Sequence, residues 1–227
     1  MTGGILLLDK PQGWTSHDCV AVLRKRVGIQ KVGHAGTLDP FATGLLVLLI
    51  GREYTAQAEQ LQGHDKLYWM RMRLGEVTDS QDRDGKILST SDLIPSRSDL
   101  EQALSRFQGE ILQLPPMFSA KKIQGQKLYH LARQGREIER AAQSIHLQCT
   151  LLEFSYPWVE LEIACSKGSY MRTVAHDLGA VLGCGAHAAE LRRLRSGPFS
   201  VDAAISIEQA RDPDFDLSAL LLERAAP

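Results

Sequence analysis

The chain has 227 residues, of which 44% are hydrophobic, and its 26 basic residues nearly balance its 27 acidic residues. This length and hydrophobic content suit one large soluble domain, or a domain with a small appendage. The near-zero charge gives no global argument for nucleic-acid binding, so any surface for a polyanion must be local.

The chain shows no sign of a membrane segment or an export signal. No apolar run approaches the ~20 residues that a membrane span requires. The first residues also lack the charged region and the long apolar region of a secretory signal peptide. We therefore expect a cytoplasmic protein.

The first predicted elements are two apolar runs with a helix between them. Residues 5–8 and 45–50 are continuously apolar, which is typical of central strands that are covered on both faces. Between about residues 18 and 27, apolar residues such as Val20 and Leu23 recur at helical spacing. The sequence therefore predicts strand, helix and strand in this order.

A glycine-rich loop, residues 33–44 (GHAGTLDPFATG), precedes the second apolar run and carries one carboxylate, Asp39. Glycines allow a backbone to approach a ligand closely, and Pro40 restricts Asp39 to extended conformations. The backbone around Asp39 is therefore restricted, which suits a site whose catalytic group is held in place before the substrate binds. The same residue types are common in simple turns, so the pattern alone leaves a purely connecting role open.

The strand signal is strongest over residues 67–74. Tyr68 and Met70 begin an apolar face, and Arg71 and Arg73 lie on the opposite face. This alternation predicts a strand with one buried face and one solvent-exposed face.

The polar segment that follows, residues 78–85 (TDSQDRDG), looks like a calcium loop. With Gly85 at the sixth position of such a loop, the twelfth position is Ser91. The bidentate glutamate of a calcium loop is therefore missing, and we exclude calcium binding.

Helices and alternating strands are interleaved in the second half of the chain. Ser98 and Glu101 have the spacing of a capping box that opens a helix. Residues 145–151 and 159–165 alternate between apolar and polar, and a further helix is expected from about residue 170 to 182. Strands that expose one face to solvent and are interleaved with helices predict an α+β fold, with a mixed, mainly antiparallel sheet flanked by helices.

The four cysteines lie far apart and form no C-x-x-C pair, which argues against a thiolate zinc site. We expect no metal and no organic cofactor. Basic residues are concentrated in three short segments, residues 24–31, 121–127 and 192–195. These segments could converge on one face and follow a phosphate backbone, or could simply be solvated surface.

Six motifs, considered together, point to one family. They are residues 8–13 (LDKPQG), 33–44, 74–79 (LGEVTD), 115–121 (PPMFSAK), 167–172 (KGSYMR) and 183–194, which contains GCGAH and LRRL. From about residue 3 to 207, the chain closely resembles the bacterial tRNA pseudouridine-55 synthases, the TruB family. The resemblance implies the pseudouridine synthase fold. It also implies a cofactor-free enzyme that detaches one uridine base in the T-loop of tRNA, rotates it and rejoins it through carbon.

The resemblance implies three catalytic residues. Asp39 is the reacting residue, by attack at the sugar or the base or by proton abstraction from the ribose. Arg172 is implied to pair with Asp39, since a guanidinium can hold a carboxylate ionised and aimed. Without the resemblance, Arg172 is a surface arginine at a helix start. Tyr68 is implied to lie against the target ring, although its strand position equally suits a core aromatic residue.

The resemblance also implies a set of substrate-binding residues. They are Lys10, Pro11, His34, Gly36, Thr37, Leu194 and Lys121. His34 is implied to support the T-loop, Leu194 to form a wall of the pocket, and Lys10 and Pro11 to form a turn that supports the site. The segment of about residues 113–135 corresponds to a family insertion that closes over the bound RNA.

The chain departs from the family pattern in two places. The family usually carries lysine at the end of the element that is GREYT here, residues 51–55, so one phosphate contact is lost or moves from Thr55 to Arg52. The chain also leaves too little sequence for the small C-terminal RNA-binding domain that many members append. We therefore expect a short form, with a catalytic domain at residues 1–210 and a tail at residues 211–227.

The expected partner is the T-arm of tRNA, and we expect a monomer with no protein partner and no contact with membranes. Two other functions remain open from the sequence. One is an RNA-binding or tRNA-folding protein that shares the fold but is catalytically inactive. The other is a hydrolase that uses Asp39 as an acid, which needs a second carboxylate or a nucleophile that no motif supplies.

Overall fold

The computed structural model of the protein describes residues 3–118, 122–123, 126–127 and 138–223. The chain divides into two compact units. One contains Met1–Trp69 and Leu191–Pro227, and the other contains Met70–Glu190. The domain boundary that the sequence suggested at residue 210 stays a prediction.

Strands and short helices alternate along the chain. The strands are β1 (Gly4–Lys10), β2 (Val32–His34), β3 (Thr43–Ile50), β4 (Lys66–Leu74), β5 (Glu76–Thr78), β6 (Ile87–Thr90), β7 (Gly109–Gln113), β8 (Lys122–Ile123), β9 (Gln126–Lys127), β10 (Gln143–Ser155), β11 (Trp158–Cys165), β12 (Ala186–Ser196) and β13 (Phe199–Ser200). The helices are α1 (Ser16–Val27), α2 (Arg52–Thr55), α3 (Ala58–Gln62), α4 (Arg97–Leu104), α5 (Met171–Leu182) and α6 (Ile207–Arg211). In the part of the chain that the structure describes, no helix has the length and apolar character that a membrane span requires.

The first unit is built on β1 and β3, whose faces are both buried. The two strands are antiparallel, and successive side chains along each strand point to opposite faces. Leu6 and Leu46 belong to an apolar cluster with Leu23 of α1. Leu7 and Leu45 belong to a second cluster, which includes α3. This two-sided burial explains why both strands are continuously apolar in sequence.

β1 is not the central strand that its apolar sequence suggested. It lies at one end of the strand order, beyond β3. The C-terminal part of the chain covers its outer edge, through bridges between Ile5 and Leu222 and between Leu8 and Ile205. The C-terminal segment covers the outer edge of β1 as a neighbouring strand would. The hydrophobicity of β1 therefore could not distinguish a covered end strand from a central strand.

Helix α1 begins two residues earlier than the apolar pattern indicated. Thr15 is its N-cap: the Thr15 hydroxyl accepts a hydrogen bond from the backbone N–H of Asp18, and the Asp18 carboxylate accepts one from the N–H of Thr15. The helix ends at Gly28, which has a left-handed conformation. The polar cap therefore extends the helix beyond its apolar stripe.

The second unit contains residues 70–74 of β4 and residues 186–190 of β12, and the strand order there is β12, β4, β11, β10 and β7. β10 is antiparallel to both β11 and β7, and α4 contacts both α5 and β10. On β4, Met70 and Met72 are fully buried and Arg71 and Arg73 are partly exposed, as the alternation predicted. In the first unit, residues 192–193 of β12 are parallel to residues 43–44 of β3. The expected α+β fold, with a mixed, mainly antiparallel sheet flanked by helices, is confirmed.

The capping box of α4 is not the one that the sequence suggested. Ser96 is the N-cap, and its hydroxyl accepts a hydrogen bond from the N–H of Asp99, whose carboxylate accepts one from the N–H of Ser96. Ser98 lies inside the first turn of the helix, so the predicted box was wrong. Both serines have an acidic residue three positions later, but Glu101 is engaged by Arg97 (2.8 Å).

Candidate active site

Asp39 lies in the loop between β2 and β3. Its neighbours Leu38 and Phe41 are 4% and 3% exposed, whereas Asp39 is half-buried. The carbonyl oxygen of Asp39 accepts a hydrogen bond from the N–H of Ala42 (3.1 Å), which closes a tight turn over Pro40. The loop is thus anchored by apolar side chains, and Asp39 remains partly accessible.

Lys10, the last residue of β1, is fully buried and supports this turn. Its Nζ donates to the carbonyl oxygens of Pro11 (2.9 Å), Trp14 (2.7 Å) and Pro40 (3.4 Å). Burial lowers the pKa of Lys10 to about 8, and the negative charge of Asp39 opposes this shift. An ammonium group has three N–H donors. Because it donates to three protein carbonyls, Lys10 fits the supporting role that the resemblance implied.

His34, at the end of β2, packs edge-on against His17, with ring centroids 5.7 Å apart and ring planes at 78°. Burial, together with the charges of His17 and Arg193, lowers the pKa of His34 to about 4. The imidazole is therefore neutral at physiological pH, the form that can stack on a base. Gly36 and Thr37 follow on the same loop, Gly36 half-buried and Thr37 exposed.

Tyr68 and Leu194 lie on two strands of the same unit as Asp39. Tyr68, on β4, is 8% exposed, and Leu194, on β12, is half-buried. The burial of Tyr68 is compatible with a pocket wall and with an ordinary core position. The roles of both residues stay predictions.

Arg172 is not a surface residue: it lies in the first turn of α5 with its side chain 3% exposed. Its Nη1 donates to the carbonyl oxygen of Ser80 (2.8 Å), and its Nη2 donates to that of Phe118 (2.6 Å). Nη1 also lies 3.6 Å from Oδ2 of Asp82. A buried guanidinium with several oxygen partners is fixed in orientation, which a residue that aims a carboxylate requires.

Asp82 is a residue of this site that the sequence did not reveal. Its side chain is 9% exposed, and its Oδ1 accepts hydrogen bonds from the hydroxyl of Ser80 (2.6 Å) and the N–H of Asp84 (3.1 Å). In sequence, Asp82 is one of three aspartates in the polar segment 78–85. Only its burial beside Arg172 separates it from the other two, and no local pattern carries that information.

The predicted pairing of Asp39 with Arg172 stays a prediction, because Asp39 lies in the first unit and Arg172 in the second. Lys121 lies outside the described residues. So does most of the predicted RNA-contacting insertion at residues 113–135, of which the structure describes residues 113–118 and the two-residue strands β8 and β9.

Two of the three arginines at 192–195, which the sequence left open as phosphate contacts or solvated surface, bond within the protein. Arg193 is 1% exposed. Arg192 is paired with Asp9 by two hydrogen bonds, of 2.9 and 2.6 Å. In the segment 24–31, Arg26 donates to backbone carbonyls of residues 212, 213 and 215. Several of these arginines therefore stabilise the fold.

Two family models match the chain. The N-terminal domain of the TruB family pseudouridylate synthases matches residues 24–171, and the C-terminal domain of tRNA pseudouridylate synthase B matches residues 172–218. The chain belongs to the TruB family. Part of the region that we expected to be catalytic, residues 172–210, thus falls within the second model.

Bacterial members of the TruB family match nearly the whole chain. The protein named tRNA pseudouridine synthase B from Chlamydia pneumoniae is 51% identical over 96% of this chain and 93% of its own length. The protein of the same name from Opitutus terrae is 44% identical over 99% of this chain and 95% of its own length.

Solved structures with the same fold come from larger proteins. A chain of a Cbf5-Nop10-Gar1 complex matches with a TM-score of 0.71 and 30% identity, over 91% of this chain and 53% of that chain. A chain of an H/ACA RNP bound to a substrate RNA containing 2′-deoxyuridine matches with a TM-score of 0.67 and 28% identity, over 91% and 51%. The chain thus spans about half the length of these solved structures.

Proposed function

We propose that this member of the TruB family converts one uridine in the T-loop of tRNA, at position 55, to pseudouridine. The observation that carries the proposal is the partly accessible Asp39 on its anchored loop, in a chain that is 51% identical to a tRNA pseudouridine synthase B. In this reaction the bond between ribose C1′ and base N1 breaks, and a bond between C1′ and C5 forms. The C5 proton leaves and N1 gains a proton, so the reaction balances without an oxidant, a reductant or a second substrate.

Asp39 is the reacting residue in this proposal. A carboxylate can attack the ribose or the base as a nucleophile, or it can remove a proton from the ribose. Each of these steps needs an ionised and correctly aimed carboxylate. Arg172 is proposed to provide this by pairing with Asp39. The carbonyls of Ser80 and Phe118, together with Asp82, hold its guanidinium in a fixed orientation.

The target base must leave its stack before it reaches Asp39, which costs a few kcal/mol that other contacts have to offset. We assign these contacts to the neutral ring of His34 and to Gly36 and Thr37, which follow it on the same loop. Tyr68 and Leu194 are proposed to contact the extruded base. Lys121, in the basic insertion, is proposed to bind the RNA backbone.

We further propose that the enzyme acts as a cytoplasmic monomer on the T-arm. The names of the bacterial relatives give tRNA as the substrate, which supports the compartment. Sedimentation of the free protein and of its complex with a T-arm hairpin tests the monomeric state, because a monomer predicts one protein per RNA.

The proposal is tested with Asp39→Asn, which keeps the shape of the side chain but is neither a competent nucleophile nor a base. Enzyme in excess over a T-arm hairpin, with tritium at C5 of the target uridine, reports the loss of the C5 proton in a single turnover. We expect the wild type to release tritium and Asp39→Asn to release none, with similar affinity for the hairpin by filter retention. Asp214→Asn is the matched control, since Asp214 is exposed in the same unit.

A folded Asp39→Asn protein that forms substantial product would remove Asp39 from the mechanism. A wild-type protein that binds the hairpin but releases no tritium would instead favour the inactive RNA-binding protein. Loss of binding and stability together in Asp39→Asn would indicate a turn residue without a chemical role.

A further inference from the structure

Ser16 bonds to the residue that precedes Asp39. It is the first residue of α1 and is 1% exposed. Its Oγ accepts a hydrogen bond from the N–H of Leu38 (3.0 Å) and donates one to the carbonyl oxygen of Leu38 (3.2 Å). That carbonyl belongs to the planar peptide group whose nitrogen is the backbone nitrogen of Asp39. One hydroxyl therefore orients both peptide groups that flank Leu38.

Arg193 connects the two ends of the same loop. It is 1% exposed, its Nε donates to the carbonyl oxygen of Leu45 (2.7 Å), and its Nη2 donates to that of Gly36 (3.1 Å). Gly36 precedes Asp39 in the loop and Leu45 follows it. A Cβ atom on Gly44 would lie 2.3 Å from the carbonyl oxygen of Arg193. The backbone at Arg193 thus packs directly against the end of the loop.

These hydrogen bonds fix the position of the loop, which its own sequence cannot do. Glycine and proline decide which torsions the loop can adopt, but they do not fix its place relative to the rest of the unit. Buried polar side chains are normally hydrogen-bonded, and here both bond to the backbone of the loop or of the strand that directly follows it. Ser16 acts at the peptide next to Asp39, and Arg193 acts at both ends of the loop.

We propose that Ser16 and Arg193 are positioning residues that hold Asp39 in the geometry that the isomerisation needs. The inference rests on the proposed function, because it takes Asp39 as the reacting residue. Neither side chain is required to touch the RNA. A displacement of about 1 Å in a reacting group can slow a reaction by about 100-fold, so loosening this loop should lower the rate of chemistry and leave binding intact.

The test compares Ser16→Ala with Ser206→Ala. Ser206 is the N-cap of α6 in the same unit, and its hydroxyl accepts a hydrogen bond from the N–H of Gln209 (3.2 Å). Both variants lose a hydroxyl that bonds to the backbone. We expect Ser16→Ala to lower the single-turnover rate of tritium release by about 10- to 100-fold, with affinity for the T-arm hairpin within twofold of wild type. Ser206→Ala should keep the wild-type rate.

A second variant and a second measurement make the test independent of folding defects. Arg193→Lys keeps the charge but lacks the planar fork that reaches two carbonyls, so it should also slow the chemistry without weakening binding. Hydrogen exchange at the N–H of Leu38 should be at least tenfold faster in Ser16→Ala than in Ser206→Ala. Only an ordering role for Ser16 predicts both the faster exchange and the slower chemistry.

Failure of this inference can be distinguished from failure of the proposed function. If wild type releases tritium, Asp39→Asn does not, and Ser16→Ala and Arg193→Lys both match Ser206→Ala in rate, the positioning role is wrong and the proposed function stands. If wild type releases no tritium, the proposed function itself fails. Weakened hairpin binding in Ser16→Ala at an unchanged rate of chemistry would also overturn the positioning role.

Discussion

Replacing Arg172 by alanine removes a buried cation from the second unit. The variant loses the two hydrogen bonds that the guanidinium donates to the carbonyl oxygens of Ser80 and Phe118. It also leaves the carboxylate of Asp82, which is 9% exposed, without the positive charge 3.6 Å away. Both consequences destabilise the folded state.

The expected loss of stability follows from these contacts. A hydrogen bond that involves a charged group contributes about 1.5–3 kcal/mol, so two of them give about 3–6 kcal/mol. Breaking a buried ion pair by removing one partner costs about 3–5 kcal/mol, which overlaps that range. We therefore expect Arg172→Ala to lower the free energy of unfolding by about 3–5 kcal/mol. Arg172→Lys should recover little of it, because an ammonium lacks the planar fork.

Urea unfolding of four proteins measures this effect: wild type, Arg172→Ala, Asp82→Asn and the double variant. Because the two residues are in contact, their effects should not add, and we expect a coupling energy of about 0.5–3 kcal/mol. Arg97→Ala is the matched control, since Arg97 and Glu101 form an exposed ion pair on α4 that contributes about 0.2–1 kcal/mol.

Activity is measured under conditions in which each variant is folded. If Arg172 aims Asp39, folded Arg172→Ala should release tritium much more slowly than wild type in a single turnover. A loss of stability as small as that of Arg97→Ala would refute the buried network. Near wild-type turnover by folded Arg172→Ala would refute the proposed pairing with Asp39 and leave Arg172 a structural residue.

Two further predictions concern pH and salt. The pKa of His34 is lowered from 6.5 to about 4, so the folded protein binds fewer protons than the unfolded chain between these values. The free energy of unfolding should therefore fall by up to about 3 kcal/mol as the pH falls from 6.5 to 4, and urea titrations should show a smaller fall for His34→Gln. Binding of the T-arm hairpin should weaken steeply with salt, and Lys122→Ala should flatten the log-log slope by about 0.7–0.9. Arg193→Lys should leave this slope unchanged because Arg193 is buried; a flatter slope would show that Arg193 does contact phosphate.

The elements of the fold were largely predictable because their signals are local. The alternation on β4, the helical spacing in α1 and the glycine that follows α5 each lie within a few residues of the element they define. Two of the differences arose where one local pattern allowed two interpretations. The Ser96 and Ser98 caps have the same spacing to an acidic residue, and β1 has the composition of a central strand although it is an end strand covered by the C-terminal segment.

The candidate site was predictable only where a family motif carries it. Asp39, Arg172 and His34 lie in motifs, whereas Asp82 and Ser16 acquire their roles from long-range contacts. Ser16 lies 22 residues before its partner Leu38 in sequence. A single sequence without an alignment contains no signal that joins such positions, since serine and aspartate at a helix start or in a polar loop have ordinary local explanations.

The arginines of β12 are different, because the sequence did contain part of the information needed to place them. Arg192 and Arg193 are adjacent, and adjacent residues on a strand point to opposite faces. Arg193 shares its face with Leu191, which is buried, and the same alternation separates it from Arg192. Once residues 191–194 are taken as a strand, the two arginines cannot form one exposed cluster. In the structure Arg193 is the buried one, and a buried guanidinium must bond to oxygen atoms. The backbone carbonyls of Gly36 and Leu45, on either side of Asp39 in sequence, provide those atoms, so Arg193 stabilises the fold and is not available to contact RNA.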